Sequence, residues 1–267
     1  MRAQQRPESP LFTERTPRVV AARRLLRRRE REQTGTFLVE GPQAVREALA
    51  VGLVRDLFAT EAAADRHPEL VAGTVSWLTE RALATLTETA HPQGLVAICS
   101  TVDRPLAEAV GGDPRLVAVL AEVRDPGNAG TVLRCADAAG ADAVILAGDA
   151  VDPYNGKCVR ASAGSLFHVP IARGVPAAAA LDALRGRGLQ VLAADGAGDT
   201  DLDELTDAGG LAAPTAWLFG NEAWGLPAEL ADLADRRVRI PIYGAAESLN
   251  LATAAAVCLY ASARAQR

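Results

Sequence analysis

The chain has no apolar run approaching the roughly 20 residues that a membrane-spanning helix needs, although 49% of its 267 residues are hydrophobic. Its first ten residues, Met1 to Pro10, are polar and basic with no apolar stretch behind them, so they do not read as a secretory signal. Four cysteines occur, Cys99, Cys135, Cys158 and Cys258, and no pair has C-x-x-C spacing, which excludes the common zinc and redox motifs. They are expected to be reduced, mostly buried thiols of a cytoplasmic protein. Histidine is scarce too. His67, His91 and His168 stand in ordinary contexts, and no G-x-S-x-G elbow exists to pair with one. No G-x-G-x-x-G fingerprint is present, and the single lysine, Lys157, lacks the glycine context of a P-loop. Asp149 and Asp152 lie close together, but nothing beside them completes a metal site, so no metal is expected.

What is present is length, apolar content and an uneven charge. At about 150 residues per domain the chain has room for two. Residues 1–31 hold ten Arg against three Glu, a local charge of +7 within an overall −5, which leaves −12 for the rest. Such asymmetry fits an anionic partner for the front of the chain, nucleic acid above all; the same run also fits a merely solvated helix face.

Residues 1–15 read as a disordered basic tail. From Thr16 to Arg31, Val19, Val20, Leu25 and Leu26 alternate with arginine pairs, the pattern of an amphipathic basic helix stopped by Gly35. Strands are expected at 36–39, 54–59, 74–78 and 94–100, with helices at 43–50 after Pro42 and at 79–86 after the cap Thr79. This alternation forms a first α/β domain, 16–104. The Pro- and Gly-containing segment 105–114 is a linker, and 115–267 a second domain. There, continuous apolar runs at 116–121, 143–147 and 190–194 suit buried parallel strands. Further strands are expected at 167–171 and around 217 and 240, with helices at 131–139, 177–184 and 248–263.

Three polar clusters follow strand-like runs in this second domain, where α/β proteins place ligands. In Asp125–Arg134, Asn128 is a candidate helix cap and Arg134 lies in the second turn. In Gly220–Gly225, Gly220 permits a ligand to approach the backbone and Glu222 sits at an expected helix start. In Ile240–Asn250, Ser248 is a candidate cap of the last helix. Singly each is equally a structural feature.

Together and in this order, Asn128 and Arg134, then Gly220, Asn221, Glu222 and Gly225, then Ser248, Leu249 and Asn250 resemble the three motifs of the SpoU (TrmH) family of RNA ribose 2′-O-methyltransferases. Ser162 to Phe167 also fits. Phe37 to Gly41 resembles, more loosely, the RNA substrate-binding domain that precedes the catalytic domain in many members. The resemblance implies an α/β fold with a knotted (trefoil) parallel-sheet domain, a smaller α/β sandwich, a homodimer, and S-adenosyl-L-methionine as methyl donor. It implies methylation of a ribose 2′-hydroxyl in RNA, with 23S ribosomal RNA favoured over tRNA, and a non-catalytic RNA-binding or assembly factor as the alternative of another class. By the same resemblance Arg134, Asn128, Glu222, Ser248 and Asn250 are the catalytic set. Ala194, Leu218, Gly220, Asn221, Ile240, Ile242 and Leu249 hold the cofactor, and Arg18, Arg23, Arg24, Arg27 and Arg134 contact RNA.

Overall fold

The computed structural model describes residues 10–267. The chain forms two compact units, one running up to Thr101 and including Tyr154–Gly164, the other comprising Val102–Pro153 and Ser165–Arg267. Most of the expected tail, residues 1–9, lies outside the described residues. The rest of it is ordered: Phe12 donates its N–H to the carbonyl of Trp77 at 2.7 Å and accepts from the N–H of Thr79 at 3.0 Å.

The expected single basic helix is two, α1 (Pro17–Arg24) and α2 (Arg28–Thr34). The break has a visible cause. Arg31, only 5% exposed, turns inward and donates from Nη1 to the carbonyls of Leu25 and Leu26 at 2.9 and 3.0 Å. It satisfies the orphan acceptors at the end of α1, which a continuous helix would not have. Val19, Ala22 and Leu25 face the core with Phe58, Leu78 and Leu83. Then follow β1 (Thr36–Glu40), α3 (Pro42–Ala50), β2 (Val54–Ala59), α4 (Glu61–Arg66), β3 (Ser76–Trp77), α5 (Glu80–Ala84) and β4 (Leu95–Ser100). The sheet order is β1-β4-β2-β3, antiparallel at β1/β4 and β2/β4. Thr79 caps α5 as expected, accepting from the N–H of Ala82 at 3.1 Å.

The second unit begins with a short helix where a linker was expected, α6 (Leu106–Ala109), followed by β5 (Leu116–Ala121), α7 (Pro126–Ala139) and β6 (Ala143–Ala147). The chain returns to the first unit for α8 (Gly156–Ser162). It then runs through β7 (Ile171–Val175), α9 (Ala177–Arg185), β8 (Gln190–Ala194), β9 (Thr200–Asp201), α10 (Leu202–Asp207), β10 (Thr215–Phe219), α11 (Ala228–Ala231), β11 (Arg236–Arg239) and α12 (Leu251–Ala265). The seven strands lie in the order β7-β6-β5-β10-β8-β11-β9, and every pairing is parallel.

Both faces of this sheet are covered, which is why its central strands are apolar throughout. Val117, Val119 and Leu218 pack with Leu181 and Leu184 of α9. On the other face Trp217 is fully buried and donates from its indole N–H to Ser262 Oγ of α12 at 2.8 Å.

Four expected boundaries move. The run 239–243 is not a strand: pairing ends at Arg239, two residues before Pro241, which has no N–H to give a ladder. Residues 165–167 form a turn of tighter helix and the strand starts at Ile171, after Pro170. α7 starts at Pro126 rather than Thr131, and α12 at Leu251 rather than Ser248. No helix of the described residues is long and apolar enough to cross a membrane.

Candidate active site

The site is built at the C-terminal ends of β5, β8, β10 and β11. After Phe219 the chain makes a tight turn in which Asn221 and Gly225 exchange backbone hydrogen bonds, both at 2.9 Å. A Cβ on Gly220 would stand 2.4 Å from the carbonyl carbon of Gly225. That glycine is therefore required by the turn itself, whatever it also allows a ligand to do. Asn221, 6% exposed, locks the turn: its Oδ1 accepts from the N–H of Ala223 at 2.9 Å and its Nδ2 donates to the carbonyl of Glu122 at 2.8 Å. Glu122 stands in the left-handed region at φ 54, so the side chain of one strand end holds a strained backbone at the next.

Glu222 does not start a helix of its own; it serves another one. Its carboxylate accepts from the N–H of Arg124 at 3.2 Å, the N–H of Asp125 at 3.1 Å and Nδ2 of Asn128 at 3.1 Å. These donors precede or open α7, where a negative charge also suits the helix dipole. The cap of α7 is Asp125, whose Oδ1 accepts from the N–H of Asn128 at 2.8 Å; the expected cap, Asn128, sits one turn further in. Asn128 is free to use its amide elsewhere. Its Oδ1 accepts from Nδ2 of Asn250 at 3.0 Å. Asn250 in turn caps α12, accepting from the N–H groups of Ala252 and Thr253 at 2.9 and 3.3 Å. One chain of hydrogen bonds, Glu222 to Asn128 to Asn250, thus joins the three sequence clusters.

Ser248 does not cap α12; it is exposed and lines a cavity of about 250 Å³ together with Glu222. Of the expected cofactor residues, Ala194, Gly220, Asn221, Ile240, Ile242 and Leu249 line this cavity. Leu218 does not; its side chain is buried in the sheet core. Phe219, Val238, Leu251 and Ala254 complete apolar walls. Asp195, also on the wall, is held by Arg237, with Nη2 to Oδ2 at 2.6 Å. That hydrogen bond raises the guanidinium's pKa above its ordinary value.

Ile240, Ile242, Glu247, Ser248 and Leu249 line the cavity from a segment, 240–249, that makes no backbone-to-backbone hydrogen bond among the described residues. Backbone donors and acceptors along an irregular edge, facing apolar walls, are the groups that pair with the polar rim of a flat heterocycle. Such a lining fits an organic cofactor with a flat ring.

Arg134 lies apart from this network. It is exposed on α7 and makes no hydrogen bond or ion pair with a described residue. Arg23, Arg24 and Arg27 are exposed and equally unpaired among the described residues, whereas Arg18 pairs with Asp56 at 2.8 Å and stands 5.8 Å from the ring centroid of Phe12.

Sequence reading missed one feature. Asp125-Pro126, an acidic cap followed by proline at the first helical position, was a legible start signal. Trp224 is 55% exposed, with the Arg124 guanidinium 5.7 Å from its ring centroid, a flat cationic platform beside Glu222.

A parallel seven-stranded α/β sheet with its polar loops gathered at one end defines the class. Residues 115–260 match the SpoU rRNA Methylase family and residues 16–97 the MRM3-like substrate binding domain, so the chain belongs to the SpoU methylase family. A Bacillus subtilis relative, the 23S rRNA (guanosine(2553)-2′-O)-methyltransferase RlmP, is 37% identical over 89% of this chain and 92% of its own length. The AdoMet-bound rRNA methyltransferase from Sinorhizobium meliloti superposes with a TM-score of 0.83 at 34% identity, covering 96% of this chain and 97% of that one. The SpoU methyltransferase AviRb from Streptomyces viridochromogenes, solved with AdoMet, gives 0.81 at 32% identity, covering 94% and 98%.

Proposed function

We propose that this protein methylates a ribose 2′-hydroxyl of 23S ribosomal RNA, with S-adenosylmethionine held in the cavity at the ends of β8, β10 and β11. The observation that carries this reading is the hydrogen-bonded chain Glu222–Asn128–Asn250 at the edge of that cavity. Three loops fixed to one another give the rigid geometry an in-line methyl transfer requires. Similarity to rRNA enzymes across both units, rather than over the catalytic half alone, favours ribosomal RNA.

The cofactor supplies an electrophilic sulfonium methyl. The chain's residues do the rest. Backbone groups of 240–249 and the apolar walls orient the adenosine. Glu222 and Asn250 keep Asn128 and the start of α7 in place. Arg134, exposed and unpaired among the described residues, orients the phosphate beside the target ribose and stabilises developing alkoxide charge. With a pKa above about 12 it is a poor base, so the proton passes to a phosphate oxygen or water. Trp224 and Arg124 offer a stacking surface to a neighbouring base.

The same reading includes a knotted path in the C-terminal part, a cytoplasmic location and a homodimer. In support of the dimer, α12 leaves Val257 and the 53% exposed Tyr260 uncovered; light scattering should give the mass of two chains, and a monomer would refute this part.

Labelled methyl transfer to total RNA, followed by mapping, tests the activity. Label is expected on a ribose of 23S rRNA. Label confined to tRNA would overturn the substrate, and failure to bind S-adenosylmethionine in calorimetry would overturn the enzyme. Arg134→Ala is expected to keep cofactor affinity and lose turnover.

A further inference from the structure

A second, larger cavity of about 400 Å³ lies wholly within the first unit. Its walls come from the β1–α3 turn (Glu40, Gly41, Gln43), the loop before β4 (Thr87, Thr89, His91, Gln93) and α8 with its end (Arg160, Ala163). The volume falls in the range of small-molecule sites, about 300–1,000 Å³.

Its chemistry is specific. The one guanidinium is already taken by carboxylates: Arg160 bonds Glu40 at 2.8 Å and stands 3.7 Å from Glu88. Nothing there is left to attract a phosphate. By contrast Thr89, His91 and Gln93 each bring a side chain with no hydrogen-bond partner among the described residues. Gly41, at φ 91, keeps the space open, since a Cβ there would come within 3.2 Å of Gln93 Oε1. The wall formed by α8 is fixed, because Tyr154 just before it is buried against Phe37 with ring centroids 4.6 Å apart.

We propose that this cavity receives one unstacked nucleobase of the RNA substrate, its sugar–phosphate chain remaining outside. The proposal rests on the reading of the protein as an RNA methyltransferase. An open cavity with no spare cation, lined by an amide, an imidazole and a hydroxyl, suits the hydrogen-bonding edge of a base. Single-stranded loops are where RNA exposes such edges.

The test is binding of purified 23S rRNA to the full-length chain at several salt concentrations. Gln93→Ala and His91→Ala are each expected to weaken binding roughly three- to tenfold, the usual worth of a lost neutral hydrogen bond. The slope of log affinity against log salt should stay as in the wild type, because that slope counts phosphate contacts. Arg23→Ala, in contrast, should flatten it. Urea denaturation followed by circular dichroism reports that each variant is folded. His91 is exposed in a loop, so its variant carries the test if Gln93→Ala does not fold. Wild-type affinity in both variants, or a flattened slope in either, overturns the proposal. Failure of methyl transfer by the wild-type chain would overturn the enzymatic reading alone.

Discussion

Glu222 has three donors on one carboxylate, and two of them are backbone N–H groups at the entrance to α7. Its first task is therefore to fix helix geometry, and any part in catalysis follows from that. Removing an acceptor from N–H groups at a helix start costs about 0.5–2 kcal/mol. Glu222→Ala should lower the unfolding free energy by about that much, measured by urea denaturation, and should reduce methyl transfer more than tenfold by letting Asn128 shift. A variant with wild-type stability would mean that water replaces the carboxylate and that the network is not rigid. At this scale the sequence singled out polar residues that the fold brings together, but misassigned some of their local roles. Asn128, Glu222, Ser248 and Asn250 were each legible as polar groups at element ends. Which of them caps, and which is left to face a neighbour, depended on contacts spanning about a hundred residues of chain, such as Asn128 with Glu222 and Asn250. Local pattern carries no such information.

Among the elements, those with one-dimensional signals were read correctly. Leu116–Ala121, Ala143–Ala147 and Gln190–Ala194 are strands over the expected ranges, because a buried parallel strand is a nearly continuous apolar run. The basic segment was misread because arginine was taken as a surface residue. Arg31 is buried and binds the carbonyls of Leu25 and Leu26, just past the end of α1. Loss of such a partner leaves two carbonyls unpaired at a cost of about 1–3 kcal/mol. Arg31→Ala should thus destabilise the chain by that amount in chemical denaturation. Arg28→Ala, which removes only an exposed pair with Glu32, should change stability by less than about 0.5 kcal/mol. Equal effects of the two would remove the explanation offered for the helix break.

For the molecule as a whole, the scarcity of lysine makes one property unusually readable. A single Lys and three Tyr leave few groups besides thiols to titrate between about pH 8 and about pH 10. Burial pushes the Cys99 thiol in the first unit up to about 12 from its ordinary 9.0, and raises the Cys258 thiol in the second unit further still. In the unfolded chain both ionise near pH 9; in the folded chain both keep their protons. Above that point the folded state binds more protons, so stability falls as pH rises. The contribution is complete below the unfolded value and is lost on the way up to the folded one. Each thiol should cost about 1.4 kcal/mol per pH unit once the unfolded form is ionised. Urea unfolding at about pH 8 and about pH 10 should show the decline. In Cys258→Ala the difference between the two pH values should shrink, whatever the variant does to stability at neutral pH. An unchanged difference would show that the Cys258 thiol is not the group responsible. Cys135, only partly buried, should meanwhile be the thiol of the native chain that reacts first with a disulfide reagent.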